Sequence, residues 1–277
     1  MTLTLERTKP RQRIDTANLV IAVCGPPGST GRTSLALNLA YEFSELGRRT
    51  ILIDLDTWAP SIATLLGVTN PTAGLTGAAR LIRQSRFDRE QLDRLSLQVR
   101  NRKASFHCLT GLSSPKRWGE VTEDTVSQLL NLCRFEFEIV IIDLSSEIEA
   151  NLTAPSQPSQ RNSATRFALT KCDLALTVIN PSELSLSRYL QGFAELQELQ
   201  ANRPVILNRA EPKANIASAL KTLTKESIFA TVPDDPIAFE LAESAHLPVA
   251  LARRKSPARN AIAALAHKLL ECPPSAS

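Results

Sequence analysis

The run Val20-Ile21-Ala22-Val23-Cys24-Gly25-Pro26-Pro27-Gly28-Ser29-Thr30-Gly31-Arg32-Thr33-Ser34 reads as an apolar strand, a turn of small residues and the start of an amphipathic helix. Backbone amides at the first turn of a helix have no intrahelical partner and carry partial positive charge, so this junction is suited to gripping a polyphosphate. Gly28, Ser29, Thr30, Gly31, Arg32, Thr33 and Ser34 are the expected cradle. Thr33 would offer a hydroxyl to Mg²⁺ and Arg32 a fixed positive charge. The common pattern is Gly, four residues, then Gly-Lys-Ser/Thr. Here Pro26 stands at the first glycine and Arg32 at the lysine. Arginine keeps the charge and can fork onto two oxygens, but it is bulkier and planar and needs a wider site. The competing reading is a Gly/Pro-rich strand-to-helix turn with no ligand.

Carboxylates at other strand ends would complete such a site. Thr50 to Ile53 runs into Asp54-Leu55-Asp56, which places two carboxylates on one side with a single residue between them. Asp54 is expected beside the metal and Asp56 to orient an attacking water, the main demand that phosphoryl transfer makes of a protein. Either could instead cap the segment that follows. Ile139-Val140-Ile141-Ile142-Asp143 is a buried strand ending in a carboxylate, an arrangement that holds Mg²⁺ together with a hydroxyl. Asn208, at the end of Val205-Ile206-Leu207, is expected to read an adenine edge or to serve as a turn residue.

These residues need a scaffold that brings strand ends together. Short β-branched runs at 19–23, 50–53, 105–109, 138–142, 173–179, 204–207 and 227–231 alternate with helical patterns. Continuous apolar strands such as 139–142 are buried on both faces, so the expected fold is α/β: a doubly wound, mostly parallel sheet flanked by helices, with ligands at the carboxyl ends of the strands. Leu35, Leu39, Phe43 and Leu46 mark the helix after the loop, closed by Gly47. The segment 147–166, with Pro155 and Pro158, reads as a long surface loop. One domain is expected over 18–272, between tails at 1–17 and 273–277.

The 277 residues are 43% hydrophobic and 22% charged, ordinary for a globular chain, and 5% aromatic, too few for stacking platforms on single-stranded nucleic acid. Five scattered cysteines without Cys-x-x-Cys spacing fit a reducing, cytoplasmic setting. No apolar signal core or spanning stretch is legible, leaving only the membrane surface as a lipid contact. Arg80 to Lys103 holds eight basic and three acidic residues, a local excess of +5 against +4 for the whole chain. It reads as a solvated helix with internal ion pairs, or as a contact for DNA or an anionic membrane. The helical pattern from Ala258 to Leu270 reads as packed on the sheet.

Taken in order, Gly25 to Ser34, Ile53 to Asp56, Ile139 to Asp143, Val205 to Arg209 and Val232-Pro233-Asp234 resemble the ParA/MinD/CpaE group of P-loop ATPases, and most of all its CpaE-like actinobacterial members with a deviant loop. The resemblance spans roughly residues 19–270. It implies an Mg-ATP-dependent homodimer acting as a switch that positions machinery such as pili, septa or DNA, with an unidentified protein partner. It matches Asp56 to the water-orienting acid, Asp143 to the strand-end metal acid, and Asn208 and Pro233 to adenine contacts. The group's signature lysine falls on Pro27, which carries no charge. Hydrolysis is therefore expected to be slow, done with another residue, or lost. The alternatives are a degenerate nucleotide-binding scaffold and a DNA- or membrane-surface adaptor.

Overall fold

A computed structural model describes residues 18–28, 30–69, 74–101, 103–150, 161–211 and 216–271. The expected tails, Ser29, Arg102 and the central part of the 147–166 loop lie outside the described residues. The strands are β1 (Leu19–Cys24), β2 (Thr50–Leu55), β3 (Leu97–Arg100), β4 (Ser105–Leu109), β5 (Ile139–Leu144), β6 (Leu174–Ile179), β7 (Val205–Ala210) and β8 (Ile228–Pro233). The helices are α1 (Arg32–Glu45), α2 (Ile62–Leu65), α3 (Gly74–Arg83), α4 (Arg89–Leu95), α5 (Glu123–Glu136), α6 (Ser163–Lys171), α7 (Glu183–Leu199), α8 (Ile216–Thr224), α9 (Pro236–Ala245), α10 (Val249–Ala252) and α11 (Pro257–Glu271).

The strands form one sheet in the order β3-β4-β2-β5-β1-β6-β7-β8, parallel throughout except that β3 runs antiparallel to β4. All six residues of β1, β2, β5 and β6 are buried, as expected of strands covered on both faces. Alternate side chains feed two cores. Val20, Ala22, Ile51, Ile53, Val140 and Ile142 pack toward α3, α5 and α6, whereas Ile21, Val23, Leu52 and Ile141 pack toward α1 and α11.

Among the described residues there are eight strands, one more than the seven that the sequence pattern predicts. The additional one, β3, lies inside the basic stretch 80–103, which is the end of α3, the short helix α4 and an edge strand, not one solvated helix. Its half-buried, exposed alternation belongs to a strand with one face on the protein. Within 147–166 the chain is helical from Ser163 onward, so the last four residues of that expected loop belong to α6. Gly47, at φ 75°, follows the last turn of α1 and donates to the Ser44 carbonyl, closing the helix as read. Helix α11 packs on α1 and β8, where Arg259 pairs with Glu42 and Glu45 across the helix interface.

Chain order reverses about β1, with β5 and β2 on one side and β6 and β7 on the other. Such a switch point opens a crevice at the carboxyl ends of the strands. Gly25 to Gly28, Thr30, Gly31, Asp54, Asp143 and Asn208 lie at the carboxyl ends of these strands.

Candidate functional site

The loop leaves β1 at Cys24 and enters α1 through Gly31, the residue that caps the helix. Gly31 has φ 87°, and a Cβ there would lie 2.3 Å from the Asn208 amide nitrogen, so both backbone and neighbour require glycine. No side chain caps α1. The first backbone bond of the helix is from Leu35 N–H to the Gly31 carbonyl, and the N–H groups of Arg32, Thr33 and Ser34 have no acceptor among the described residues. The amino end of α1 is open.

Arg32 is turned onto the loop itself. Its Nη1 donates to the carbonyls of Pro26 at 2.7 Å and Gly25 at 3.2 Å, with the Thr30 hydroxyl at 3.4 Å, while its buried Nε has no partner. The guanidinium thus ties the two ends of the loop together from within. Asn208, also buried, donates from Nδ2 to the Thr30 carbonyl at 2.8 Å and fixes the loop from β7.

Asp143, near the carboxyl end of β5, is 1% exposed, and neither of its carboxylate oxygens has a hydrogen-bond partner. Burial pushes its pKa well up, and the neighbouring Asp54 charge adds to the rise; the Thr33 hydroxyl and Arg32 guanidinium beside it act the other way. A buried carboxylate without a partner is costly. Asp143 and Thr33 form a pair of hard oxygen donors at the open end of α1, and that donor chemistry fits Mg²⁺.

Asp54 pairs in register with Asp143 across β2 and β5. It is fully buried, and its Oδ2 accepts from the N–H groups of Ser61 and Ile62 while Oδ1 accepts from Asp56 N–H. Burial first, and the Asp56 charge among the lesser causes, raise its pKa to about 7 against the pull of those three N–H groups. Asp54 therefore anchors the loop after β2 and the start of α2 through both of its oxygens.

Asp56 is 8% exposed. Its Oδ1 accepts from Trp58 N–H at 2.8 Å and Ala59 N–H at 2.9 Å, and Oδ2 has no partner among the described residues. One oxygen holds the turn and the other is uncommitted.

Sequence reasoning missed a clasp beside this turn. The Arg161 guanidinium lies 3.6 Å over the Trp58 ring and donates to the Thr57 carbonyl at 3.2 Å; the indole N–H donates to Asn162 Oδ1 at 3.0 Å. Loops after β2 and β5 are thereby joined across the site.

On the other side of α1, a cavity of about 350 Å³ is lined by Gly31, Asn208, Arg209, Asp234, Pro236 and Phe239 among others. That volume suits a small organic ligand. Pro233 ends β8 beside the cavity-lining Asp234 and Pro236. The missed signals were Pro236 and Phe239, ordinary residues of a capped helix whose Asp235 accepts from Ala238 N–H.

The geometry can be set beside known proteins. The model of the CobQ/CobB/MinD/ParA nucleotide binding domain matches residues 21–249. The iron-sulfur cluster carrier protein of Escherichia coli is 37% identical over 67 residues, 24% of this chain and 18% of the carrier, so the alignment spans under a fifth of that relative. Among solved structures, a ParA family ATPase from Chlorobium tepidum superposes with a TM-score of 0.77 at 18% identity, over 91% of this chain and 99% of its own. The septum site-determining protein MinD of Pyrococcus horikoshii, solved as a complex with Mg-ADP, superposes with a TM-score of 0.70 at 18% identity, over 91% and 95%. These structural likenesses show the fold. From the match over most of its length, the chain belongs to the CobQ/CobB/MinD/ParA nucleotide-binding family, the group whose motif order its sequence resembles.

Proposed function

We propose that this protein binds Mg-ATP and uses the nucleotide state as a switch to position other cellular machinery. The observation that carries the reading is Asp143, buried with both oxygens unpartnered beside Thr33 at the open amino end of α1. The amides of Arg32 to Ser34 would receive phosphate oxygens, and the cavity by Asn208 and Asp234 would receive the base. Thr33 and Asp143 would hold Mg²⁺, which when bound supplies charge neutralisation on phosphate oxygens. Asp56 is the candidate to orient a water through its uncommitted oxygen.

Slow turnover belongs to this proposal, because Arg32 is engaged with the loop's carbonyls and Pro27 offers no charge. The same observation favours a second reading, a scaffold that binds nucleotide without hydrolysing it.

A nucleotide-dependent homodimer, an unidentified protein partner and a role at a septum, a pilus or partitioned DNA follow from the family reading. The complex titled MinC:MinD from Aquifex aeolicus supports the idea of a protein partner. The basic segment supports surface contact with DNA or anionic lipid. Arg83, Arg89 and Arg94 are ion-paired, whereas Arg80, Arg86, Arg100 and Lys103 are exposed with no carboxylate partner among the described residues. We place the protein in the cytoplasm, with peripheral contact at the membrane's inner face. Four described cysteines are free thiols, and among the described residues no helix is long and apolar enough to cross a membrane.

The test is thermal unfolding with millimolar Mg-ATP followed by phosphate release. Ligand at 100 times its dissociation constant adds about 2.7 kcal/mol. A shift with phosphate release supports the switch, a shift without release supports the scaffold, and no shift rejects both.

A further inference from the structure

Pro27 and Gly28 form the exposed crest of the loop. Across it lies Arg188, from the second turn of α7, whose Nη1 donates to the Pro27 carbonyl at 3.2 Å. Gly28 has φ 108°, and a Cβ built there would sit 2.4 Å from that same nitrogen. The bare glycine leaves a gap, and a guanidinium fills it.

That guanidinium is underused. Arginine carries five N–H donors, and this contact spends one of them on a neutral acceptor. Glu147 and Glu149 line the same recess, a cavity of about 110 Å³, yet no carboxylate among the described residues pairs with Arg188. Arg32, by contrast, is held inside the loop by two carbonyls. Of the two arginines bonded to this loop, Arg188 is the one positioned to change partners.

The two cavities flanking the loop give the site a direction. The larger touches Gly31 and Ser34, and the smaller touches Gly25, Pro26 and Pro27. A ligand whose base occupies the first, with its phosphates along the α1 amides, extends its far end toward Gly28.

We propose that Arg188 binds the terminal phosphate of a nucleoside triphosphate, leaving the Pro27 carbonyl when that phosphate arrives. The exchange replaces a bond to a neutral carbonyl with charge-assisted, fork-shaped contacts to phosphate oxygens. It also links α7 to the number of phosphates bound, because the residue that reads the last phosphate belongs to that helix. This inference rests on the nucleotide reading above and adds the residue that separates triphosphate from diphosphate.

Titration calorimetry with Mg-ADP and with the non-hydrolysable Mg-AMP-PNP tests it on wild type, Arg188→Ala and Arg188→Lys. Arg188→Ala is expected to lose about tenfold or more in affinity for Mg-AMP-PNP, the usual size of a charge-assisted contact, while Mg-ADP stays within about twofold. Arg188→Lys is expected to recover part of the loss. Equal weakening of both ligands would overturn the proposal by showing that Arg188 only props the loop, and so would unchanged affinity for both. A wild-type protein that binds neither nucleotide overturns the underlying nucleotide reading, and that outcome is visible before any variant is compared.

Discussion

Asp54 and Asp143 stand opposite one another in register on β2 and β5, both essentially removed from solvent, yet Asp54 accepts three backbone N–H groups and Asp143 accepts none. Two neighbouring carboxylates thus divide the work. One builds the loop, and the other keeps its oxygens available at the cost of a burial only partly offset by the Thr33 hydroxyl and the Arg32 guanidinium beside it.

That cost predicts a trade of stability for function at Asp143. Asp143→Asn removes a buried, unpaired acid and is expected to stabilise the ligand-free protein by about 1–3 kcal/mol near neutral pH. For a chain of this size each kcal/mol raises the melting temperature by roughly 2–4 °C. The same variant is expected to lose the Mg²⁺-dependent part of nucleotide affinity. Calorimetric melting with and without Mg-ADP checks both halves; a destabilised variant that still responds to Mg²⁺ would refute the assignment.

The same pair predicts a pH dependence. Asp54 titrates near 7 in the folded chain because burial disfavours its charge, against about 3.9 for a carboxyl in the unfolded chain. Between those values the folded state holds more protons than the unfolded state, so this contribution to stability falls as pH rises from about 4 to about 7 and is level above. Asp143 shifts in the same direction. Melting curves across that window should show a steeper decline for wild type than for Asp143→Asn, and equal slopes would remove the buried pair as its origin.

Asp56 combines a structural oxygen with an uncommitted one, and the two roles can be separated. Asp56→Asn retains an Oδ1 acceptor for Trp58 and Ala59 N–H while losing the negative charge. Nucleotide affinity and melting temperature are expected to stay near wild type, and phosphate release to slow by about 10²-fold or more, the usual contribution of a positioned base. Unchanged release would show that Asp56 does no more than hold its turn.

Asn208 lines the cavity proposed for the base and holds the loop through the Thr30 carbonyl. Asn208→Ala is expected to cost about 1 kcal/mol of stability and to weaken nucleotide binding by several-fold, because the loop loses its tether and the cavity loses a polar wall. Parallel calorimetry and melting measurements check this. Loss of stability with full nucleotide affinity would confine Asn208 to the loop.

The sequence exposes features whose physics is local. The run Ile139 to Ile142 is continuous because β5 is covered on both faces, and Gly47 ends α1 through its own positive φ. The open amides of Arg32 to Ser34 follow from a glycine-capped helix start, also a local pattern. Strand β3 was hidden because Leu97 to Arg100 has only one protected face and lies within a basic run that imitates a solvated helix. The bonds from Ser61 and Ile62 N–H to Asp54 have no sequence signal either, because they are supplied by a turn that periodicity does not reveal. The Trp58–Arg161 clasp and the Arg188–Pro27 contact join residues more than 100 positions apart and have no local signature.

The most direct measurement is titration calorimetry of ATP into wild type and into Thr33→Ala, each with Mg²⁺ and with EDTA. The account predicts saturable binding to wild type that weakens by about tenfold or more when Mg²⁺ is removed, and a Thr33→Ala protein whose weaker binding no longer depends on the metal. Equal affinity of wild type with and without Mg²⁺, or no heat at millimolar ATP, would contradict it.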